Sequence, residues 1–451
     1  MQITFLGATE TVTGSKFLLT HHGKKILVDC GLFQGYKALR LRNWDKFPVD
    51  PAQIDAVILT HAHIDHTGYL PLLVKNGFSG KIHCTHGTKD LCAILLPDSG
   101  HIQEEDAKRA NKYGYSKHHP ALPLYTENEG RQALKQFLPH DFATEYRLFD
   151  DLSFRFHHAG HIIGASIVEI KYNSKTLCFT GDLGRPHDHV MNPPDVIHKA
   201  DYLVIESTYG GRLHDRTDPL KQLEDIIQQT VKRGGSVIIP SFAVGRAQSL
   251  LYYIDQLKKA DRIPDLPVFL DSPMAINATN LLCHYTNEHR LTKEQCKDLC
   301  NVAEYIVTPE QSKSIDQYKV PVIIISASGM ATGGRILHHL KLFLRDPRST
   351  ILFAGFQAGG TRGDRLLRGE TEIKIHGEMI PVRAHIELLT SLSAHADYQE
   401  ILAWLKKFER PPQKTFIVHG EPESSKNLKR KIEEQLKWSC YLPKYRHVET
   451  L

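Results

Sequence analysis

No C-x-x-C pair occurs among the eight cysteines (Cys30, Cys84, Cys92, Cys178, Cys283, Cys296, Cys300 and Cys440), and several lie in apolar runs such as Leu177-Cys178-Phe179. That usage points to reduced, mostly buried thiols and away from a disulfide scaffold or a cysteine-built metal site. No apolar run is long enough to span a bilayer. The first residues, Gln2-Ile3-Thr4-Phe5-Leu6-Gly7, read as a strand rather than as a basic region followed by an apolar core. A soluble, cytoplasmic protein is therefore expected. Internal repeats, low-complexity tracts and Pro/Ser-rich linkers are missing too. The net charge of +5 is too weak for a disordered nucleic-acid-binding tail, yet it permits an anionic substrate. With 41% hydrophobic and 24% charged residues the composition is that of a globular protein. A chain of 451 residues exceeds one ordinary core, so two domains are expected.

What is present is concentrated in Thr60-His61-Ala62-His63-Ile64-Asp65-His66-Thr67-Gly68. Three imidazoles and a carboxylate follow the apolar strand-like run Ala56-Val57-Ile58-Leu59, which delivers four metal-capable groups to one end of a sheet. Imidazole with carboxylate is a natural zinc ligand set. His61 and His63 share one side of an extended segment, while Asp65 and His66 fall where a helix would begin. One loop can thus serve two neighbouring metals. The chain has 27 histidines, but scattered histidines do not end a hydrophobic strand in H-x-H-x-D-H.

Other strand-like runs end in similar residues. His161 follows the alternating Leu152, Phe154 and Phe156, within His157-His158-Ala159-Gly160-His161. Asp182 lies just past Leu177-Cys178-Phe179, and a carboxylate there can bridge two zinc ions. Phe416-Ile417-Val418 runs into His419, and Leu203-Val204-Ile205 into Glu206. His395 sits in Ser393-Ala394-His395-Ala396-Asp397, before a helix whose apolar face carries Ile401, Leu402 and Trp404. Several strand ends that each deliver a ligand form a constellation.

The first 31 residues read as a β-meander ending in Asp29-Cys30-Gly31, and Asp98 to Tyr113 as a polar helix. A hairpin is expected around Asn173-Ser174. After Tyr209 the texture changes to helices alternating with continuous apolar strands (Val237-Ile238-Ile239, Val268-Phe269-Leu270, Val322 to Ile325, Ile351-Leu352-Phe353), the signature of a parallel α/β sheet. This second domain is inserted, because the final segment resumes the earlier chemistry.

With these residues in place, the chain resembles the metallo-β-lactamase superfamily and, within it, the β-CASP nucleases that process RNA, among them endonucleases of the cleavage-and-polyadenylation type. H-x-H-x-D-H matches the second superfamily motif, and Asp29, His161 and Asp182 match the first, third and fourth. Glu206, His395 and His419 match the three further β-CASP motifs. Ser326-Ala327-Ser328-Gly329-Met330 and Pro240-Ser241-Phe242-Ala243-Val244-Gly245-Arg246 look like parts of the β-CASP insert. The resemblance implies an α/β fold, an αββα sandwich (residues 1–208 and 391–451) interrupted by a β-CASP domain (209–390) on a mainly parallel sheet. It also implies two zinc ions per chain. His61, His63 and His161 would hold one, Asp65, His66 and His419 the other, with Asp182 between them and Asp29 fixing a ligand imidazole from behind. A histidine at the last motif accompanies RNA substrates in the family, so His419 points to single-stranded RNA.

The implied activity is phosphodiester hydrolysis by two metals, endonucleolytic with 5′-exonucleolytic cutting as a further option. Asp65 would help orient the nucleophile, His395 would be the general acid, and Glu206 would hold its second nitrogen. Gly329-Met330-Ala331-Thr332-Gly333-Gly334-Arg335 joins a strand to a helix and reads equally as a phosphate cradle (Ser328, Gly329, Thr332, Gly333) or as a tight structural turn. Arg246, Arg335, Arg362 and Arg365 are candidate backbone clamps. The ligand positions are complete, so a non-catalytic RNA-binding subunit is disfavoured. A DNA nuclease is opposed mainly by His419, and a small-ester hydrolase leaves His395 and Glu206 unexplained. The expected state is a monomer or homodimer with no obligate complex.

Overall fold

The computed structural model describes residues 1–114, 116–215 and 217–451. Two compact units emerge. One comprises Met1–Leu213 with His395–Leu451 and the other His214–Ala394, so both junctions lie a few residues beyond positions 208 and 390.

The first unit is built on two seven-stranded sheets. One runs in the order Val448–Thr450, Gln2–Phe5, Phe17–His21, Lys24–Val28, Ala56–Ile58, Lys81–Thr85 and Phe137–His140. The second runs Cys440–Tyr441, Lys414–Val418, Tyr202–Glu206, Lys175–Phe179, Ser166–Tyr172, Leu152–His158 and Glu145–Phe149. Alternating side chains explain why the sheets pair. Leu152, Phe154 and Phe156 are buried while Ser153 and Arg155 between them are only partly so. They meet Phe5, Phe17, Leu19, Ile26 and Val28 of the other sheet in one apolar core. The first hairpin pairs Phe17 with Val28 and His21 with Lys24, and Tyr172 pairs with Lys175 across Asn173-Ser174. Asn173 takes a left-handed φ of 51°, which suits asparagine in a two-residue turn.

One helix departs from the sequence expectation. It spans His86–Tyr113 rather than beginning at Asp98, with Thr85 capping Thr88 N at 3.2 Å and Pro97 inside it. Buried Leu91, Cys92, Leu95 and Leu96 anchor the added turns, so packing outweighs the backbone hydrogen bond that Pro97 cannot make. Among the described residues no helix is long and apolar enough to cross a membrane.

The second unit carries a six-stranded sheet in the order Glu304–Tyr305, Val268–Asp271, Ile323–Ser326, Val237–Pro240, Thr350–Phe353 and His385–Leu388. Every pairing in it is parallel. Its strands are buried throughout at Val237–Pro240, Val268–Asp271, Ile323–Ser326 and Thr350–Phe353, as a sheet covered on both faces requires. At the end of one strand Asp271 is fully buried. Arg335 Nη1 donates to its Oδ1 at 2.7 Å, and Ser312 Oγ (2.6 Å) and His339 Nε2 (2.7 Å) meet its Oδ2. Burial alone would raise the Asp271 carboxyl, but bonds from His339, Ser312 and Arg335 hold it below its ordinary 3.8. For His339 burial is likewise outweighed by Asp271 and Asp316, which hold it above 6.5.

Asp271→Ala should cost about 3–5 kcal/mol, because it strands the buried imidazole of His339 and takes the carboxylate from the half-buried guanidinium of Arg335. Urea unfolding of the variant would measure this, and a loss below about 1 kcal/mol would discount the network. The sign of its pH dependence follows. The carboxylate's share is complete above 3.8 and fades as pH falls through its lowered value, while the imidazole's is complete below 6.5 and fades as pH rises through its raised one. The network therefore contributes most between pH 3.8 and 6.5.

Candidate metal centre

Six chain segments converge at one end of the sandwich. The strand Ala56–Ile58 runs through Leu59 and Thr60 into His61 and His63, and Ile64–Thr67 forms a single helical turn bearing Asp65 and His66. Asp29 follows Lys24–Val28, His161 follows Leu152–His158, Asp182 follows Lys175–Phe179, and His419 follows Lys414–Val418. Asp29 and His419 have left-handed φ values of 58° and 48°. Such conformations persist in non-glycine residues where surrounding structure over-determines them, as at functional sites. Gly31 is required for closeness: a Cβ there would meet Asp65 O at 1.6 Å. That approach brings the Asp29 loop against the H-x-H-x-D-H loop, where Cys30 N bonds His66 O at 2.7 Å.

The donor atoms fall into two groups. In the first, His63 Nδ1 lies 3.1 Å from His61 Nε2 and 3.3 Å from His161 Nε2. In the second, His66 Nε2 lies 3.1 Å from His419 Nε2, which is 3.3 Å from Asp65 Oδ2. Asp182 faces both. Its Oδ2 is 3.4 Å from His61 Nε2 and 3.6 Å from His161 Nε2, and its Oδ1 is 3.4 Å from His66 Nε2 and from His419 Nδ1.

These atoms fit a metal. Ligands ~2.0–2.1 Å from a tetrahedral zinc ion stand ~3.3 Å from one another, which is the spacing seen here. Asp182 Oδ1 is buried with no hydrogen-bond partner among the described residues, an arrangement that a cation would satisfy. The protonation states of the first group agree. Burial, with His66 close by, pushes His61 down to about 3. Burial also lowers His63, and burial together with His395 holds His161 well below its ordinary value. Neutral imidazoles are the ligating form. His66 behaves differently: burial would lower it, but Asp182, Asp29 and Asp65 outweigh burial and raise it. The same attraction holds Asp182 and Asp65 ionised against the cost of burial, through His419, His66 and His61 for Asp182 and through His66 and His419 for Asp65.

A supporting layer orients the ligands. Asp29 Oδ2 is 2.7 Å from His66 Nδ1, Asp29 Oδ1 accepts Thr60 N at 2.8 Å, and Thr60 Oγ1 lies 3.1 Å from His61 Nδ1. Thr208 Oγ1 is 3.2 Å from His419 Nδ1. Buried Lys16 donates to Gly31 O, its ammonium facing the rings of Phe33 and Tyr69, and burial brings it down to about 8. Thr60, Thr208 and Lys16 escaped sequence reasoning. For Thr60 the signal was its place directly before His61; Lys16 gave none.

Beside the donors stands a second pair. His395 Nδ1 lies 3.0 Å from Glu206 Oε1, and its ring is 4.6 Å from that of His161. Glu206 is itself fixed by Leu183 N at 2.7 Å and Thr208 N at 3.1 Å. Burial would lower His395, but Glu206 and Asp182 raise it to about 9, keeping it protonated at neutral pH.

The residues expected to hold phosphate all lie in the second unit, and most have structural duties there. Ser328 Oγ accepts Thr332 N at 3.0 Å and Gly333 N at 3.3 Å, so those amides already bind a side chain of their own loop. A Cβ on Gly329 would meet Phe242 N at 2.7 Å, so tight packing explains that glycine. Arg335 is bound to Asp271 and to the carbonyls of Ile306 and Val307. Arg362 donates to the carbonyls of Lys374, Ala331 and Thr332, and Arg365 pairs with Glu370. Arg246 is buried in the first turn of the helix Arg246–Lys259.

Comparison with known proteins agrees with this chemistry. Residues 12–233 match the metallo-β-lactamase superfamily, residues 247–366 the β-CASP domain, and residues 379–443 the Zn-dependent metallo-hydrolase RNA specificity domain. Over 430 residues the chain is 35% identical to a ribonuclease of Thermus thermophilus, covering 94% of both proteins. It is 31% identical to an RNase J-like protein of Methanocaldococcus jannaschii, covering 93% of this chain and 92% of that one. A crystal structure of a protein of unknown function from Enterococcus faecalis shares the fold, with a TM-score of 0.53 and 14% identity over 100% of this chain and 99% of its own.

Proposed function

We propose that this chain, which belongs to the metallo-β-lactamase superfamily and within it to the β-CASP RNA-processing nucleases, cleaves single-stranded RNA at internal phosphodiester bonds with two zinc ions. It is a metal-dependent hydrolase acting on RNA; the proposal concerns the metal count, the strandedness of the substrate and the mode of cutting. The observation that carries it is the division of donors about Asp182, with each carboxylate oxygen facing a different group of imidazoles.

His61, His63, His161 and Asp182 would hold one ion and Asp65, His66, His419 and Asp182 the other. Bound there, zinc supplies Lewis-acid stabilisation of the phosphate charge and an activated water nucleophile. The chain supplies the rest. Asp65 orients the attacking water. As the phosphorus–O3′ bond breaks, His395 delivers a proton to the departing 3′-oxygen from Nε2, because Nδ1 is committed to Glu206. Glu206 is a positioning residue: it fixes the ring and stabilises the imidazolium. The products are a 3′-hydroxyl and a 5′-phosphate.

The test is cleavage of matched single-stranded RNA and DNA, labelled at either end, by the zinc-loaded protein. Internal RNA fragments from both labels, with DNA cut at least ~10-fold more slowly, are expected; a factor of ten is about 1.4 kcal/mol of transition-state discrimination. Equal cutting of DNA would move the protein to the DNA nucleases. Mononucleotides released only from the 5′ end would replace the endonuclease by an exonuclease.

A further inference from the structure

A second set of metal-type donors lies in the first unit, away from the groups above. The strand Phe17–His21 pairs with Lys24–Val28 so that Phe17 faces Val28, next to Asp29, whereas His21 and Lys24 close the opposite end. Over a strand of this length the two ends lie roughly 13 Å apart. The closing turn is His22-Gly23, with φ values of 45° and 78°. Two successive left-handed residues define the hairpin turn in which asparagine or glycine normally comes first, and histidine there is strained.

The turn sets His22 beside His21, with ring centroids 4.2 Å apart. His21 is buried and packs edge to face on Tyr172 at 5.7 Å, so its ring direction is set. Across from them Asp151 lies in the turn between Glu145–Phe149 and Leu152–His158, which belong to the other sheet. Its Oδ2 is 2.7 Å from His21 Nε2 and 3.3 Å from His22 Nε2, and the three donor atoms all lie within 4.8 Å of one another. The His22 to Asp151 spacing equals that between donors at the candidate metal centre, where His161 and His63 stand 3.3 Å apart.

We propose that His21, His22 and Asp151 form a separate structural site for a divalent cation of the zinc class, which pins the hairpin of one sheet to the hairpin of the other. Two imidazole nitrogens and one carboxylate oxygen are borderline donors suited to zinc, with solvent completing the coordination at this exposed edge. Binding replaces the hydrogen bond between His21 Nε2 and Asp151 Oδ2 with bonds from both atoms to the cation.

The full-length protein, stripped with chelator and reloaded with zinc, is compared with His22→Asn and Asp151→Asn by plasma mass spectrometry after desalting. The His22 side chain is 70% exposed and asparagine suits its backbone, so that variant keeps the turn and the fold. Each variant is expected to retain one zinc equivalent fewer than wild type, to gain less melting temperature on zinc addition, and to cleave RNA at the wild-type rate. Equal zinc contents in all three proteins would overturn the site and leave a hydrogen-bonded clasp. That outcome leaves the RNA-cleavage proposal untouched, because none of the three residues belongs to its machinery.

Discussion

Replacing His395 with alanine is expected to slow RNA cleavage ~10²–10⁴-fold while the protein keeps its full complement of zinc. His395 belongs to neither group of converging imidazole donors; its Nδ1 is turned to Glu206 at 3.0 Å. The ring nevertheless stands 4.6 Å from that of His161, at the margin of the donors, where a leaving group would emerge. The variant loses the proton source rather than the charge clamp. A 3′-alkoxide is a poor leaving group and needs that proton as the bond breaks, whereas a nitrophenolate leaves without it. The assignment is therefore checked by comparing RNA with bis-nitrophenyl phosphate, alongside zinc content measured by plasma mass spectrometry. The variant should be crippled on RNA and nearly unaffected on the aryl ester. An equal loss on both substrates would reassign His395 from acid catalysis to substrate placement.

Much of this centre was readable because most of its donors follow apolar strands, and the two sheets present those strand ends together. His61, Asp182 and His419 are local readings of that kind. The parallel sheet of the insert was legible for the same reason, from its uninterrupted apolar runs. What escaped depends on partners distant in the chain. Arg335 looked available beside Gly333 and Gly334, but its carboxylate is Asp271, on another strand. Lys16 serves Gly31 through a loop contact that no spacing rule anticipates. Pro97 hid the first half of a helix, because proline reads as a helix start until burial of Leu91 and Leu95 shows that the turns before it pack. Nothing local to His21-His22-Gly23 placed Asp151 against that turn.

Asp182→Asn should remove metal and activity together, which sets it apart from His395→Ala. Asparagine preserves the shape but removes the negative charge at a position only 3% exposed and faced by four imidazoles, those of His61, His66, His161 and His419. A carboxylate can give one anionic oxygen to each donor group, and an amide offers one neutral oxygen at most. Both groups are weakened at once, so zinc content should fall below half that of wild type in protein desalted from equal zinc. The Lewis-acid contribution of the ions is worth several kcal/mol, and its loss lowers cleavage by about 10³-fold or more. Excess zinc should restore part of the rate, because binding is weakened by mass action while the six remaining ligands stay in place. A variant that held full zinc and cleaved RNA within ~10-fold of wild type would show that the two groups do not share Asp182. The centre would then be two independent sites, or one, and the division of oxygens about Asp182 would carry no mechanism.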